Sequence, residues 1–193
     1  MMLNQIETII KESILIKKQI LGDTKIKNII SKSVSIILGA LKRGNKLYFC
    51  GNGGSAADAQ HLAAEFTGRF YLDRTALPAE ALHCNSSYMT AVANDYSFED
   101  VYSRLLDGVS KPGDVLIGLS TSGNSKNIIK ALQTAKSNKL HTISLTGLNG
   151  GLMKNYSDYL LDVPSENTPR IQECHILIGH IICQMVEENF FKS

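Results

Sequence analysis

Four side chains stand out as able to move protons or hold a metal ion. His61 and Glu65 lie four residues apart in GNGGSAADAQHLAAEF (51–66), so on a helix they share one face. Taken alone, such a pair is ordinarily a surface contact. Gln172 and His180 lie eight residues apart in RIQECHILIGHIICQMVE (170–187), a little over two turns, and face broadly the same way. A glutamine and a histidine on one face of an apolar helix are costly to satisfy, because buried polar groups need partners. If the two helices meet, the set becomes two imidazoles, a carboxylate and an amide oxygen. Zinc accepts that donor set, although an amide oxygen is uncommon. Spacing alone does not bring the helices together. His175 points well away from His180 and reads as a core histidine.

Two loops could hold an anion. GNGGS (51–55) and STSGNS (120–125) each follow an apolar run and open a helical one. A helix N-terminus offers unpaired N–H groups and a partial positive charge, and glycine lets the backbone come close to a ligand. Ser120, Thr121, Ser122 and Ser125 could each donate a hydroxyl to phosphate oxygens; the alternative is that they only cap a helix. The first loop is neither GxGxxG nor a P-loop, which favours a small phosphorylated molecule over a nucleotide. Asn94-Asp95 could bind sugar hydroxyls or cap the next helix.

The elements that must position these groups alternate in period. Residues 3–21 and 25–42 read as two amphipathic helices separated by Gly22-Asp23. Strands are expected over 46–50, 79–84, 114–120, 141–147 and 158–164. Helices are expected over 55–68, 86–95, 98–109, 125–137 and 168–191. Strands alternating with helices imply right-handed crossovers and a parallel sheet covered on both faces. The expected fold is α/β, a three-layer αβα sandwich on a five-stranded parallel sheet, with an N-terminal helical pair. Residues 1–193 read as a single domain, with helices 3–43 packing on the core and on neighbouring subunits.

Composition excludes several classes. The chain has 193 residues, 44% hydrophobic and 20% charged, with a formal net charge of +2, which is ordinary for a soluble globular protein. That charge is too small to argue for nucleic acid or a membrane surface. No apolar run reaches the ~18 residues of a membrane span, and the N-terminal residues do not read as a signal peptide. Cys50, Cys84, Cys174 and Cys183 show no CxxC pairing. They read as buried free thiols in a reducing cytosol, so a cytoplasmic location is expected.

Read together, CGNGGSAADAQHLAAEFTGRF, AVANDY, GDVLIGLSTSGNSKNI, SLTG and PRIQECHILIGHIICQMVE resemble the sugar isomerase (SIS) domain family, and within it the phosphoheptose isomerases. The resemblance spans essentially the whole chain. It implies a flavodoxin-like SIS fold and an aldose–ketose isomerase converting sedoheptulose 7-phosphate to D-glycero-D-manno-heptose 7-phosphate through a cis-enediol. That is the first step toward activated heptose for lipopolysaccharide, capsule or another surface glycan. It further implies a homotetramer and one zinc ion per subunit, held by His61, Glu65, Gln172 and His180. Asn52, Gly53, Gly54, Ser55, Glu65, Asn94, Asp95 and Gln172 would contact the sugar phosphate, and Ser120, Thr121, Ser122 and Ser125 would grip its phosphate. Glu65 and His180 would be the acid–base pair, although a carboxylate held by zinc is a weaker base. HCNSS (83–87) departs from the family pattern and leaves the exact sugar open. The competing readings are a non-enzymatic phosphosugar-binding module of the same fold and an isomerase of another sugar phosphate. A relative that associates with the replication initiator lacks the glutamate and the last histidine, and both are present here.

Overall fold

Five apolar segments pair into one parallel sheet in the order β2-β1-β3-β4-β5. The strands are β1 (Leu47–Gly51), β2 (Ala79–Ala81), β3 (Val115–Ser120), β4 (His141–Thr146) and β5 (Tyr159–Asp162). The structure is a computed structural model and describes residues 1–191. Seven α-helices accompany the strands: α1 (Met2–Gly22), α2 (Thr24–Lys42), α3 (Gly54–Thr67), α4 (Ser86–Asp95), α5 (Val101–Val109), α6 (Lys126–Ser137) and α7 (Thr168–Phe191).

The central strands read as unbroken apolar runs because both their faces are covered. Alternate side chains enter different cores. Leu47 and Phe49 of β1 join Ile117, Leu145 and the helices α2, α3 and α7 on one side. Tyr48 and Cys50 join Leu116, Val92 and the helices α5 and α6 on the other. This is the expected three-layer sandwich with a five-stranded parallel sheet. Chain order reverses at β1 and β3, so their connections leave in opposite directions and a crevice opens beyond their carboxyl ends. Both glycine- and hydroxyl-rich loops sit there.

Three expectations change in detail. The strand expected over 79–84 is confined to Ala79–Ala81, because β2 is an edge strand and the chain turns after Leu82, whose N–H still bonds the Phe49 carbonyl. The helix expected over 98–109 opens as a 3-10 turn, Phe98–Asp100, with the Ser97 hydroxyl accepting from the Glu99 N–H. Cys84 is exposed, not buried, since it lies just after the turn that ends β2; Cys50, Cys174 and Cys183 are buried free thiols as expected.

The two N-terminal helices differ in their packing. Asp23 caps α2 by accepting from the Lys25 and Ile26 N–H groups, and Ile26, Ile30, Val34 and Ile37 are buried. On α1 only Ile20 is buried, while Leu3, Ile6, Ile9, Ile10 and Ile14 remain exposed. Polar contacts hold α1 to the start of α7. The Ser13 hydroxyl donates to Glu173 at 2.6 Å and Arg170 donates to the Ile9 carbonyl at 2.9 Å.

Two features of α7 determine how close it can come to the rest. At Gly179 an added Cβ would lie 2.5 Å from a Leu62 methyl carbon, so glycine lets α7 press against α3. His175 is fully buried, and its Nε2 lies 3.1 Å from the Thr146 carbonyl, which can only accept, so Nε2 carries the proton. Its Nδ1 has no partner. Burial pushes the imidazole down to about 4, the Thr146 bond opposing only in part.

Gly179→Ala is expected to destabilise the protein by about 1–3 kcal/mol through overpacking against Leu62, despite the better helix propensity of alanine. Gly108→Ala in α5, where a Cβ meets nothing within 4 Å, should instead gain about 0.4–1 kcal/mol. Urea denaturation of both variants checks the contrast. For His175 the folded state refuses a proton that the unfolded chain binds. Stability is therefore complete above the ordinary histidine value of about 6.5 and falls as pH drops from there toward about 4. His175→Gln should flatten that acid-side loss, which denaturation at pH 7 and pH 4.5 measures; an unchanged slope would contradict it.

Candidate active site

Helix α3 starts directly beyond β1, and its composition divides it into two faces. Ala59, Leu62, Ala63 and Phe66 are buried against the sheet and α7. Asp58, His61 and Glu65, at spacings of three and four, stand together on another face. Helix α7 supplies Gln172 and His180. The close contact at Gly179 lies next to His180 in sequence, so the approach of the two helices carries His180 to His61.

The geometry there is tight. His61 Nε2 lies 2.9 Å from Glu65 Oε1 and 3.3 Å from His180 Nε2. The two imidazoles stack obliquely at 5.1 Å between centroids. The Phe70 ring also packs against His180, at 5.6 Å between centroids. Donor atoms of His61, Glu65 and His180 all lie within 4.8 Å of one another. Two ligands about 2.0–2.1 Å from a tetrahedral zinc ion sit about 3.3–3.4 Å apart. The His61–His180 separation matches that figure, and the donors are chemically those zinc prefers, so the residues fit the ion.

Asp58 belongs to this cluster although the sequence reading passed over it. Its Oδ2 is buried with no hydrogen-bond partner. Burial pushes its carboxyl above the usual range, and the neighbouring His61 and His180 pull only partly against this. An orphaned carboxylate oxygen beside two imidazoles is a further sign that the site suits a cation. The signal was present in sequence, as an acidic residue one turn before His61 on the same face.

The second half of the site is a cavity of about 240 Å³ lined by Asn52, Ser55, Leu119, Ser120, Thr121, Ser122, Ser125, Thr168 and Gln172. Its polar lining is hydroxyl and amide, with no cationic side chain. Ser120 Oγ lies 2.9 Å from Ser125 Oγ and 3.4 Å from Ser122 Oγ. Ser125 occupies the N-cap position of α6, yet its side chain makes no capping bond. Gly53, at φ 57°, is the N-cap of α3 and has no side chain to cap with. Two helix N-termini therefore reach this crevice without side-chain caps, which is what an anion needs in the absence of lysine or arginine. A larger open groove of about 620 Å³ between α5 and α6 contains none of these residues.

Several side chains fix the lining. Asn52 and Asn127 exchange amide bonds at 2.9 and 2.8 Å, joining the first loop to α6. The buried Tyr102 hydroxyl donates to the Gly51 carbonyl at 2.5 Å. Gln172 lies over Gly54, where an added Cβ would come within 2.7 Å of its amide nitrogen. Gln172 thus faces the hydroxyl cavity, two turns along α7 from His180. Asn94 and Asp95 end α4, both exposed and bonded to each other at 2.9 Å; they do not line the hydroxyl cavity of this chain.

Comparison with known proteins identifies the family. The SIS domain family model matches residues 11–147. The phosphoheptose isomerase of Clostridium acetobutylicum is 52% identical over 190 residues, covering 98% of this chain and 97% of its own. A solved phosphoheptose isomerase from Neisseria gonorrhoeae superposes with a TM-score of 0.92 at 39% identity, over 97% of this chain and all of that one. One from Francisella tularensis gives 0.93 at 32% identity, over 97% and 99%. The chain belongs to the SIS domain family, within its phosphoheptose isomerases.

Proposed function

We propose that this chain isomerises sedoheptulose 7-phosphate to D-glycero-D-manno-heptose 7-phosphate, with Glu65 and His180 as the acid–base pair. The observation that carries the reading is the convergence of His61, Glu65 and His180 within 4.8 Å, on the two helices that also reach the hydroxyl cavity. From Gln172 to His180 is about 12 Å along α7. A seven-carbon chain with phosphate at one end and carbonyl at the other is of comparable length. Its phosphate would sit among Ser120, Thr121, Ser122 and Ser125 at the two helix N-termini. Asn52, Gly53, Gly54, Ser55 and Gln172 would hold the chain between, and Asn94 and Asp95 would reach sugar hydroxyls.

The reaction moves protons and breaks no carbon–carbon bond. One proton leaves C1 of the ketose, its electron pair forms the C1–C2 double bond of a cis-enediol, and the O2 oxygen gains a proton. A proton then returns to C2 while O1 gives one up and becomes the aldehyde. Glu65 and His180 supply the base and the acid for these transfers, each contributing roughly 10²–10⁴-fold. Asp58 would favour the protonated form of both imidazoles through its charge. His61, Glu65 and His180 would hold zinc; the ion would supply positive charge beside the oxygens where negative charge develops. Gln172, expected as a further ligand, faces the hydroxyl cavity over Gly54 instead.

The exposed apolar stripe of α1, Leu3, Ile6, Ile9, Ile10 and Ile14, supports assembly with further copies of this chain, as a homotetramer. No helix among the described residues is long and apolar enough to cross a membrane. The three buried free thiols support a reducing, cytoplasmic setting.

Glu65→Gln should fold normally and lose about 10²–10⁴-fold in kcat for sedoheptulose 7-phosphate, followed by NMR of the product. Wild-type turnover in that variant would remove Glu65 from the chemistry. No conversion by the unaltered protein, with or without zinc, would turn the reading toward a phosphosugar-binding module. Light scattering should give the mass of four 21.1 kDa chains; a monomer would refute the α1 interface.

A further inference from the structure

Residues 68–76, between α3 and β2, form no helix or strand, yet one buried ion pair holds them to α7. The Arg74 and Glu187 side chains are 4% and 2% exposed, with Nε and Oε1 3.0 Å apart. Every strong acceptor site of the carboxylate is used. Oε1 accepts from Phe70 N–H at 3.1 Å and from Arg74 Nε; Oε2 accepts from Tyr71 N–H at 2.7 Å and Leu72 N–H at 3.0 Å. The guanidinium is equally occupied. Nη1 donates to the carbonyls of Phe66, Gly68 and Thr75, and Nη2 donates to the carbonyl of Glu65 at 2.8 Å. These bonds overcome burial, which alone would raise the Glu187 carboxyl, and hold it below the usual range.

A buried ion pair is a poor device for stability alone, since apolar replacements of similar volume are often neutral or better. Its value is direction. Glu187 lies seven residues beyond His180, two turns along the same helix, and so on the same side. By fixing the Phe70 N–H it sets the ring that packs on His180 at 5.6 Å. By fixing Arg74 it sets the carbonyl of Glu65 and completes the C-terminal carbonyls of α3 with a cation, where the helix dipole favours one.

We propose that Glu187 and Arg74 are positioning residues for the Glu65–His180 pair, acting through Phe70 on the imidazole and through the α3 terminus on the carboxylate. The consequence for turnover rests on the isomerase reading above; the geometric consequence does not.

A double-mutant cycle with Glu187→Gln and Phe70→Leu tests this. Glu187→Gln keeps the shape but replaces one acceptor oxygen by a donor, so kcat should fall about 10–100-fold with KM little changed. Phe70→Leu should lower kcat in the same direction. The double variant should fall no further than Glu187→Gln, because both changes remove the same contact with His180. Arg74→Lys, which keeps the charge and loses the fork, should behave like Glu187→Gln and serves if that variant unfolds. The metal-free proteins provide a readout without activity. A nuclear Overhauser contact between the Phe70 and His180 rings should be present in the unaltered chain and lost in Glu187→Gln, while the Leu62–Gly179 contact persists. Wild-type kcat in Glu187→Gln, multiplicative losses in the double variant, or an intact Phe70–His180 contact would overturn the proposal. An unaltered protein that leaves the heptose phosphate unchanged would dismiss the isomerase reading, and the ring contact would still decide the clamp.

Discussion

The site depends on how closely α3 can approach α7. Gly179 has no side chain where Leu62 presses in, so the two helices meet without a spacer. That contact places His180 Nε2 3.3 Å from His61 Nε2, and Glu65 follows one turn further along α3 at 2.9 Å. Neither helix carries a working cluster alone. His61 and Glu65 are by themselves an exposed pair of the kind found on many helix surfaces. Added to His180 and the orphaned oxygen of Asp58, they become a set of donors that fits a cation.

The other half of the site obeys a different constraint. The hydroxyl cavity has no lysine or arginine in its lining, so any anion there is met by hydroxyl groups and by two helix N-termini free of side-chain caps. The switch in strand order makes this possible, because it sends the connections after β1 and β3 to opposite faces of the sheet and leaves their loops side by side. Asn52 and Asn127 tie those loops together. Helices α3 and α7 then run from the hydroxyl cavity to the imidazole cluster.

Much of this was legible in the residues. Unbroken apolar runs such as DVLIGLS identified the buried parallel strands, and the change of period identified the helices. His61, Glu65, Gln172 and His180 stood out because polar groups at helical spacing inside apolar stretches need a reason. The misses have physical causes. Asp58 looked like any acidic residue near a helix start, and only its burial against two imidazoles distinguishes it. Cys84 sits among apolar neighbours in sequence, but β2 is an edge strand that ends three residues earlier. Arg74 and Glu187 are 113 residues apart, and no local pattern announces a bond between a loop and a distant helix. The meeting of α3 and α7 was likewise invisible to spacing, because it is a property of packing at Gly179.

Two imidazoles and a carboxylate converge on one point in space. X-ray absorption at the zinc edge of the metal-loaded protein measures that point directly. The geometry predicts a light-atom environment with at least two imidazoles and oxygen donors at about 2.0–2.1 Å. A sulfur scatterer at about 2.3 Å, or fewer than two imidazoles, would show that α3 and α7 do not deliver His61, Glu65 and His180 to the same ion.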